Sequence, residues 1–501
     1  MHLIAQTTKK NGKRKMEKLN RSSGILLHIT SLPNKYSLGT FSHECFEFID
    51  WLSDAGFGIW QVLPITDCGY GLSPYSAISS FAINPTLIDL TEFLNEEEMS
   101  KFGFNKKEDI AVEEKKILSA LDYIYNRFGK TTDKSSFEKL NKAWLDDYAI
   151  YKVIKEVYNN IPWTDLPLGL RNKSKADIES FKTKHAEEID KIKFIQFVAS
   201  EQWNRVREYA HSKGVKIFGD IPFYVELNSS DVWSNPKNWK LDVGGKGEVA
   251  GVPPDYFNSE GQLWGNPIYD YTNMAKNKYK YIIDRFKRQA ELFDILRIDH
   301  FIAFARYWSI PKGSTSAKKG KWVKGAGKDI LPELIKKVNA SIVAEDLGIV
   351  TEDVTELREK FGIPGLKVMQ FAFDDIGDHA YQPHNYEKNS VAYLGTHDNN
   401  TFMGLLNSSD WDKINRFKRY VRIPLEWGND AVVDQSIITL YRSSAVSVIF
   451  TIQDILKLGE EARMNIPGQS KGCWLWQLDS LPSHDLCQHY MELSKMYGRH
   501  K

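Results

Sequence analysis

Four acidic segments of this chain have the residue types and spacing for glycosidic bond chemistry. Gly219-Asp220, Arg297-Ile298-Asp299-His300, Glu345-Asp346 and Thr396-His397-Asp398-Asn399 each lie in or directly after a short apolar run. Like charges gathered in one place are unfavourable, so carboxylates at several strand ends need an explanation, whereas any one alone can simply cap a loop. Breaking a glycosidic bond with retention takes a carboxylate nucleophile and a carboxylic acid about 5 to 5.5 Å apart, flanking an oxocarbenium-like transition state. Asp299 suits the nucleophile. Arg297, two residues earlier, falls on the same face of a strand and would hold the carboxylate ionised and oriented. Glu345 follows an apolar run and faces other carboxylates, conditions that raise a pKa and keep a general acid protonated. Asp398 is then free to grip sugar hydroxyls and favour ring distortion, with His300 and His397 as further donors.

These residues need a scaffold that brings strand ends together. Eight short, β-branched runs occur in order, at 24–29 (GILLHI), 59–64 (IWQVLP), 215–225 (VKIFGDIPFYV), 295–299 (ILRID), 340–346 (ASIVAED), 366–373 (LKVMQFAF), 391–396 (VAYLGT) and 446–451 (VSVIFT). Their continuous apolarity marks strands covered on both faces, as in parallel sheets. Helical stripes lie between them: Cys45, Phe48, Ile49 and Leu52; Ile195, Val198, Trp203 and Val206 with Gly214 as a C-terminal stop; and Tyr279, Ile282, Ile283, Phe286, Ala290 and Phe293. Eight alternating units predict an α/β fold, a (β/α)8 TIM barrel, in which reacting residues sit at the carboxyl ends of the strands.

A bare barrel takes about 250 residues, whereas the chain has 501. The chain divides into a basic tail over 1–20, the first two strands within 21–76, a charged, helix-prone insertion over 77–190, and the rest of the barrel over 191–501. Within the last part, the Gly-, Pro-, Asn- and Trp-rich stretch 227–273 reads as a lid over the strand ends.

Lys plus Arg number 66 against 65 Asp plus Glu, a formal charge of +1. That balance gives no basic surplus for nucleic acid. No apolar run approaches the length of a membrane span, so no membrane partner is expected either. Four cysteines without a CxxC pattern suit a reducing cytoplasm, and no metal-ligand spacing or cofactor motif emerges. The glycines Gly245, Gly247 and Gly251 follow no strand and form no phosphate loop. Aromatic residues make up 13% of the chain. Trp233, Trp239, Tyr256, Trp264, Trp474 and Trp476 sit in polar stretches, where flat rings beside hydrogen-bonding groups suit the faces of sugars.

The motifs RIDHF, AEDLG and GTHDN, in this order, resemble the catalytic segments of the α-amylase clan. Within it the chain is most similar to the 4-α-glucanotransferases, the amylomaltase or disproportionating enzymes of glycoside hydrolase family 77. The distinguishing stretches are Ser73-Pro74-Tyr75 with Asn84-Pro85, Gly219-Asp220-Ile221-Pro222, Gly251-Val252-Pro253-Pro254-Asp255-Tyr256-Phe257, Gly261-Gln262-Leu263-Trp264-Gly265-Asn266-Pro267, residues 362–373, and Met464-Asn465-Ile466-Pro467-Gly468. The resemblance spans about residues 24–476. It implies transfer of α-1,4-glucan segments between maltooligosaccharides, without cofactor or metal, and a barrel with no separate C-terminal sheet domain. Asp299 is then the nucleophile, Glu345 the acid/base and Asp398 the transition-state stabiliser. The substrate-binding positions it implies are Tyr75, Asp220, Asp255, Gln262, Trp264, Arg297, His300, His397 and Asn399.

The chain departs from the family pattern at Leu72, where Asp is usual, at Ile302-Ala303, where Arg-Gly is usual, and between Cys473 and Gln477, where Asn-Trp-x-Trp-Arg is usual. None of these removes a catalytic carboxylate; they bear on how loops close around an acceptor. The rival readings are an α-amylase-like hydrolase, in which water takes the place of the acceptor sugar, and a non-catalytic glucan-binding protein, which has no need of an ionised nucleophile beside a protonated acid.

Overall fold

A computed structural model describes residues 18–501 except 37, 69–72, 105–109, 243–246, 255–258, 349, 470 and 501. Twelve strands are described, in chain order β1 (Ser22–Leu26), β2 (Ile59–Gln61), β3 (Lys216–Ile221), β4 (Val249–Val252), β5 (Gln262–Pro267), β6 (Ile295–Ile298), β7 (Arg306–Ile310), β8 (Lys321–Lys324), β9 (Ser341–Ala344), β10 (Gly365–Val368), β11 (Ser390–Tyr393) and β12 (Ser447–Thr451). Eight of them close a parallel barrel in the order β1-β12-β11-β10-β9-β6-β3-β2. These are the eight predicted runs, and the (β/α)8 barrel stands.

Side-chain alternation decides what each strand offers the interior. Leu26, Ile59, Phe218, Ile295, Val343, Leu366, Val391 and Ile449 pack into one cluster that fills the barrel. Tyr393 spans it, its hydroxyl donating to Gln61 Oε1 at 2.8 Å. Two residues beyond Phe218, Ile295 and Val343 come Asp220, Arg297 and Glu345, so the same parity that fills the barrel aims these groups at its mouth. Asp346, of opposite parity, turns outward. It accepts from the Leu366 amide at 2.8 Å and pairs with Arg358 at 3.1 Å. The strands' other faces pack under the surrounding helices in a second, larger cluster.

The predicted stripes become the helices His43–Asp54, Ala186–Ser212 and Lys280–Leu292, with their apolar residues buried. Gly214 takes φ +74° after the second of these, a conformation that costs a Cβ-bearing residue about 1 kcal/mol. Helices Ile110–Ile124 and Ser135–Val157 lie in the long segment after β2. Tyr148 donates to Asp67 Oδ2 at 2.6 Å, and Lys152 pairs with the same oxygen at 3.2 Å. The side chain of Gln196 makes two 2.8 Å bonds to the backbone of Ile83. Buried polar bonds of this kind tie the segment to the loop that leaves β2.

The stretch after β3 is more ordered than a loop-rich lid. Its strands β4 and β5 join β7 and β8, which follow β6, in a four-stranded antiparallel sheet of order β5-β4-β7-β8. The aromatic reading also needs correction. Trp233, Trp239 and Trp474 are buried, at 0, 3 and 7% exposure, so they are not sugar platforms. Trp233 donates to the Leu170 carbonyl at 3.0 Å and lies under Lys173 at 4.9 Å, while Trp239 packs edge-on to Tyr281 at 5.1 Å. Polar neighbours such as Asp231 and Asn238 are buried with them, and the rings fill the space beneath the inserted segments. Tyr256, Asp255, Leu72 and Gly245 lie outside the described residues.

Candidate active site

The site is built from the strand ends inward. Arg297, at 4% exposure, places a single nitrogen, Nη1, 2.6 Å from Asp220 Oδ2 and 2.9 Å from Asp299 Oδ1. Three charges thus share one contact, and the guanidinium compensates two carboxylates at once. Such bonds between ionised groups are short and roughly twice as strong as neutral ones. Asp220 is buried, and burial pushes its carboxyl pKa upward against the pull of Arg297. Its Oδ2 also accepts a 2.8 Å bond from the Tyr75 hydroxyl. Asp299 is more open, its side chain 30% exposed, as a group that must reach a substrate has to be.

Glu345 sits deep in the mouth but keeps some contact with solvent. Its Oε2 accepts from the His300 amide at 2.7 Å and its Oε1 from the Leu347 amide at 2.9 Å. Burial, partly offset by Arg297 and reinforced by the charge of Asp299, raises its pKa to about 7. A carboxyl tuned to that range can give a proton near neutrality and take it back. The His300 amide reaches Glu345 because His300 adopts φ +51°, a left-handed conformation that is strained for this residue type. Its ring meets Trp264 edge-on at 4.8 Å, and desolvation lowers its pKa to about 4, so the imidazole is neutral. Trp264, 37% exposed, donates to Gln262 Oε1 at 2.9 Å. Strand β5 therefore carries both residues to the rim beside Asp299.

The turn after β11 supplies the fourth wall. Asn399 Oδ1 accepts from the backbone amide and the hydroxyl of Thr396, both at 2.9 Å, so its acceptor is spent on the turn that presents His397 and Asp398. His397 Nε2 lies 2.8 Å from the Tyr75 hydroxyl and 3.3 Å from Asp398 Oδ2, and the Tyr75 and His397 rings stack at 5.4 Å. Asp398, 40% exposed, accepts from Asn465 Nδ2 at 2.7 Å.

Every described candidate is therefore gathered at one mouth: Asp299, Glu345, Asp398, Tyr75, Asp220, Gln262, Trp264, Arg297, His300, His397 and Asn399. The sequence reading assigned no role to three residues that touch this constellation, Asn465, Arg463 and His28, and read a fourth, Trp474, only as a sugar platform. Asn465 and Arg463, which donates to the Asp398 carbonyl at 3.3 Å, come from beyond the last strand. Trp474 packs 5.8 Å from Tyr75 and 5.9 Å from His397. His28 follows β1. The only signals were an amide ahead of the Pro467-Gly468 turn and a histidine continuing the inward parity of Leu26. Among the departures, Ile302 and Ala303 are buried at the start of a short helix before β7, and Gln477 donates to the Leu32 carbonyl at 2.7 Å.

Comparison with known proteins converges on one family. The family model described as 4-alpha-glucanotransferase, of glycoside hydrolase family 77, matches residues 27–482. The chain is 38% identical to a 4-alpha-glucanotransferase of Clostridium butyricum, covering 94% of this chain and 100% of that protein. It is 36% identical to the 4-alpha-glucanotransferase of Thermus thermophilus, covering 95% and 98%. Among solved structures, the amylomaltase from Streptococcus agalactiae in complex with acarbose superposes with TM-score 0.91 at 31% identity, covering 96% of this chain and all of that one. An amylomaltase from Corynebacterium glutamicum, at 16% identity and TM-score 0.73, shares the fold.

Proposed function

The chain belongs to the 4-alpha-glucanotransferase family, and from that premise we propose how its own residues move a glucan segment between α-1,4-linked maltooligosaccharides. Asp299 attacks the anomeric carbon of the donor while Glu345 protonates the departing glycosidic oxygen, leaving a covalent glucosyl-Asp299 ester. Glu345, now ionised, takes the proton from the 4-hydroxyl of an acceptor sugar, whose oxygen displaces Asp299 and restores the α configuration. Asp398 and His397 hold ring hydroxyls on the opposite side, and Tyr75 and His300 border the same sugar. Asp220 keeps Arg297 in place, and Arg297 holds Asp299 in position for attack.

The observation that carries this reading is the shared Arg297 contact with Asp220 and Asp299 beside a Glu345 whose pKa is raised to about 7. One carboxyl is thereby paired with a cation and another is held protonated by its surroundings, which is the division of labour that a two-carboxylate mechanism requires. A non-catalytic binder has no use for it.

Segment 227–273 serves as the lid, with Gln262 and Trp264 as its sugar contacts above Asp299. A ring that covers the ester and stacks an acceptor sugar favours attack by a hydroxyl over attack by water. Asp255 belongs to the same loop by its resemblance to the family. None of the four cysteines forms a disulfide among the described residues, and no described helix is long and apolar enough to cross a membrane; we place the enzyme in the cytoplasm. Incubation with maltotriose tests the reading. Transfer yields glucose and longer oligomers with almost no net new reducing ends; reducing ends rising in step with consumption would identify a hydrolase.

A further inference from the structure

A cavity of about 20 Å³, enough for a water molecule, is lined by His28, Leu63, His397 and Asn400 among others. Three of its lining residues, His28, His397 and Asn400, have hydrogen-bonding needs that complement one another. His397 Nδ1 and Asn400 Oδ1 are buried and find no partner among the described residues. Buried polar atoms are seldom left so, because each costs roughly 1–3 kcal/mol. His28 has the opposite character. Its Nδ1 accepts from the Leu63 amide at 3.2 Å, and its ring is buried. A neutral imidazole whose Nδ1 is an acceptor carries its proton on Nε2. His28 is thus a donor of fixed orientation at the wall of a cavity that also holds two unsatisfied acceptors.

The hydrogen-bond order on the other side of His397 demands the same polarity. The Tyr75 hydroxyl has one proton, which goes to Asp220 Oδ2. It must therefore accept, not donate, at its 2.8 Å contact with His397 Nε2, and Asp398 Oδ2 at 3.3 Å needs a donor from the same atom. Both requirements put the His397 proton on Nε2 and leave Nδ1 as the acceptor facing away from the substrate.

We infer that His28 is a positioning residue that selects the tautomer of His397 through one internal water, which accepts from His28 Nε2–H and donates to His397 Nδ1 and Asn400 Oδ1. The chain then runs with one polarity from the Leu63 amide through His28, the water, His397 and Tyr75 to Asp220, where it meets Arg297. With the other tautomer, His397 would present a bare Nε2 to Tyr75 and Asp398, and the proton of Tyr75 would be drawn from Asp220, loosening the group that holds Arg297 against Asp299. The consequence for catalysis rests on the site roles proposed above; the tautomer itself does not.

Two isosteres separate the halves of the idea. In His28→Asn the amide oxygen can still accept from Leu63, but the side chain no longer reaches the water. In His28→Gln the amide nitrogen stands close to the original Nε2 and still donates to it, while Leu63 loses its acceptor. The readouts are kcat and KM for maltotriose disproportionation, and the two-bond 1H–15N spectrum of 15N-histidine-labelled protein, with His397 assigned by its loss in His397→Gln. The expected results are an Nε2–H signature for His397 in the wild type and in His28→Gln, with kcat within about twofold of wild type in the latter. In His28→Asn the signature shifts toward Nδ1–H and kcat drops about tenfold with KM little changed, the size of one lost hydrogen bond. A wild-type His397 protonated on Nδ1, or equal effects of Asn and Gln on kcat, would overturn the inference. Absence of transfer in the wild type would instead contradict the proposed function, and the spectrum would still report the tautomer.

Discussion

Asn465 Nδ2 donates to Asp398 Oδ1 at 2.7 Å, so a residue from beyond the last barrel strand orients a carboxylate carried at the end of β11. The second oxygen of Asp398 faces His397, and Arg463 holds its backbone carbonyl. The group is clamped while its side chain stays 40% exposed. Asn465→Ala frees it to rotate. A hydrogen bond to a charged group is worth about 1.5–3 kcal/mol, so kcat/KM for maltotriose should fall by about 10- to 100-fold, with the melting temperature little changed. Wild-type kinetics in that variant would show that Asp398 needs no such support.

Glu345 links activity and stability through one ionisation. Its pKa in the folded enzyme, raised to about 7 by burial, exceeds the ordinary glutamate value of about 4.3. The general acid must be protonated in the free enzyme, so kcat/KM should decline as pH rises through about 7. The folded state binds the extra proton between those two values, so the group's effect on stability is harmless below the lower one and unfavourable above the upper one. Glu345→Gln, which cannot ionise, should therefore melt higher than wild type near pH 8 and show little difference near pH 4. Thermal melts across that range, beside the pH profile of kcat/KM, check both halves.

Two tryptophans of the segment after β3 should respond in opposite ways. Trp264 is exposed and stands at the rim; Trp264→Ala should leave the melting temperature nearly unchanged but raise the share of maltotriose lost to hydrolysis. Trp233 is fully buried; Trp233→Ala should destabilise the protein by about 3–5 kcal/mol without a selective effect on that share. Reducing-end release measured against maltotriose consumption, together with thermal melts, distinguishes them. A pure stability effect at Trp264 would contradict its role as a lid contact.

The barrel was legible in the sequence because its strands are covered on both faces, which leaves short, largely apolar runs such as IWQVLP and VSVIFT. The carboxylates were legible because they close those runs, and parity explains why Glu345 and not Asp346 points inward. The strands of the smaller sheet were not. Arg306–Ile310 follows closely on the Asp299 segment and Lys321–Lys324 is largely exposed and basic, so both read as loop. The aromatics misled for a related reason: the chain around Trp233 and Trp239 is polar, but the rings turn under it, and burial in irregular structure leaves no period to detect. Trp474 adopts φ +66°, which no pattern of residue types announces. Asn465 and His28 act through pairings more than 30 residues distant in sequence, and only the closed barrel brings those together.

The division of roles between Asp299 and Glu345 is tested most directly by trapping the covalent intermediate. An α-maltosyl fluoride donor needs no acid to expel its leaving group, so Glu345→Gln should still form the ester but resolve it slowly, lacking the base that activates the acceptor. Digestion and mass spectrometry should then find a maltosyl group on the peptide containing Asp299, absent from Asp299→Asn treated in the same way. A label on Asp220 or Asp398, or steady turnover of the fluoride by Asp299→Asn, would contradict the account.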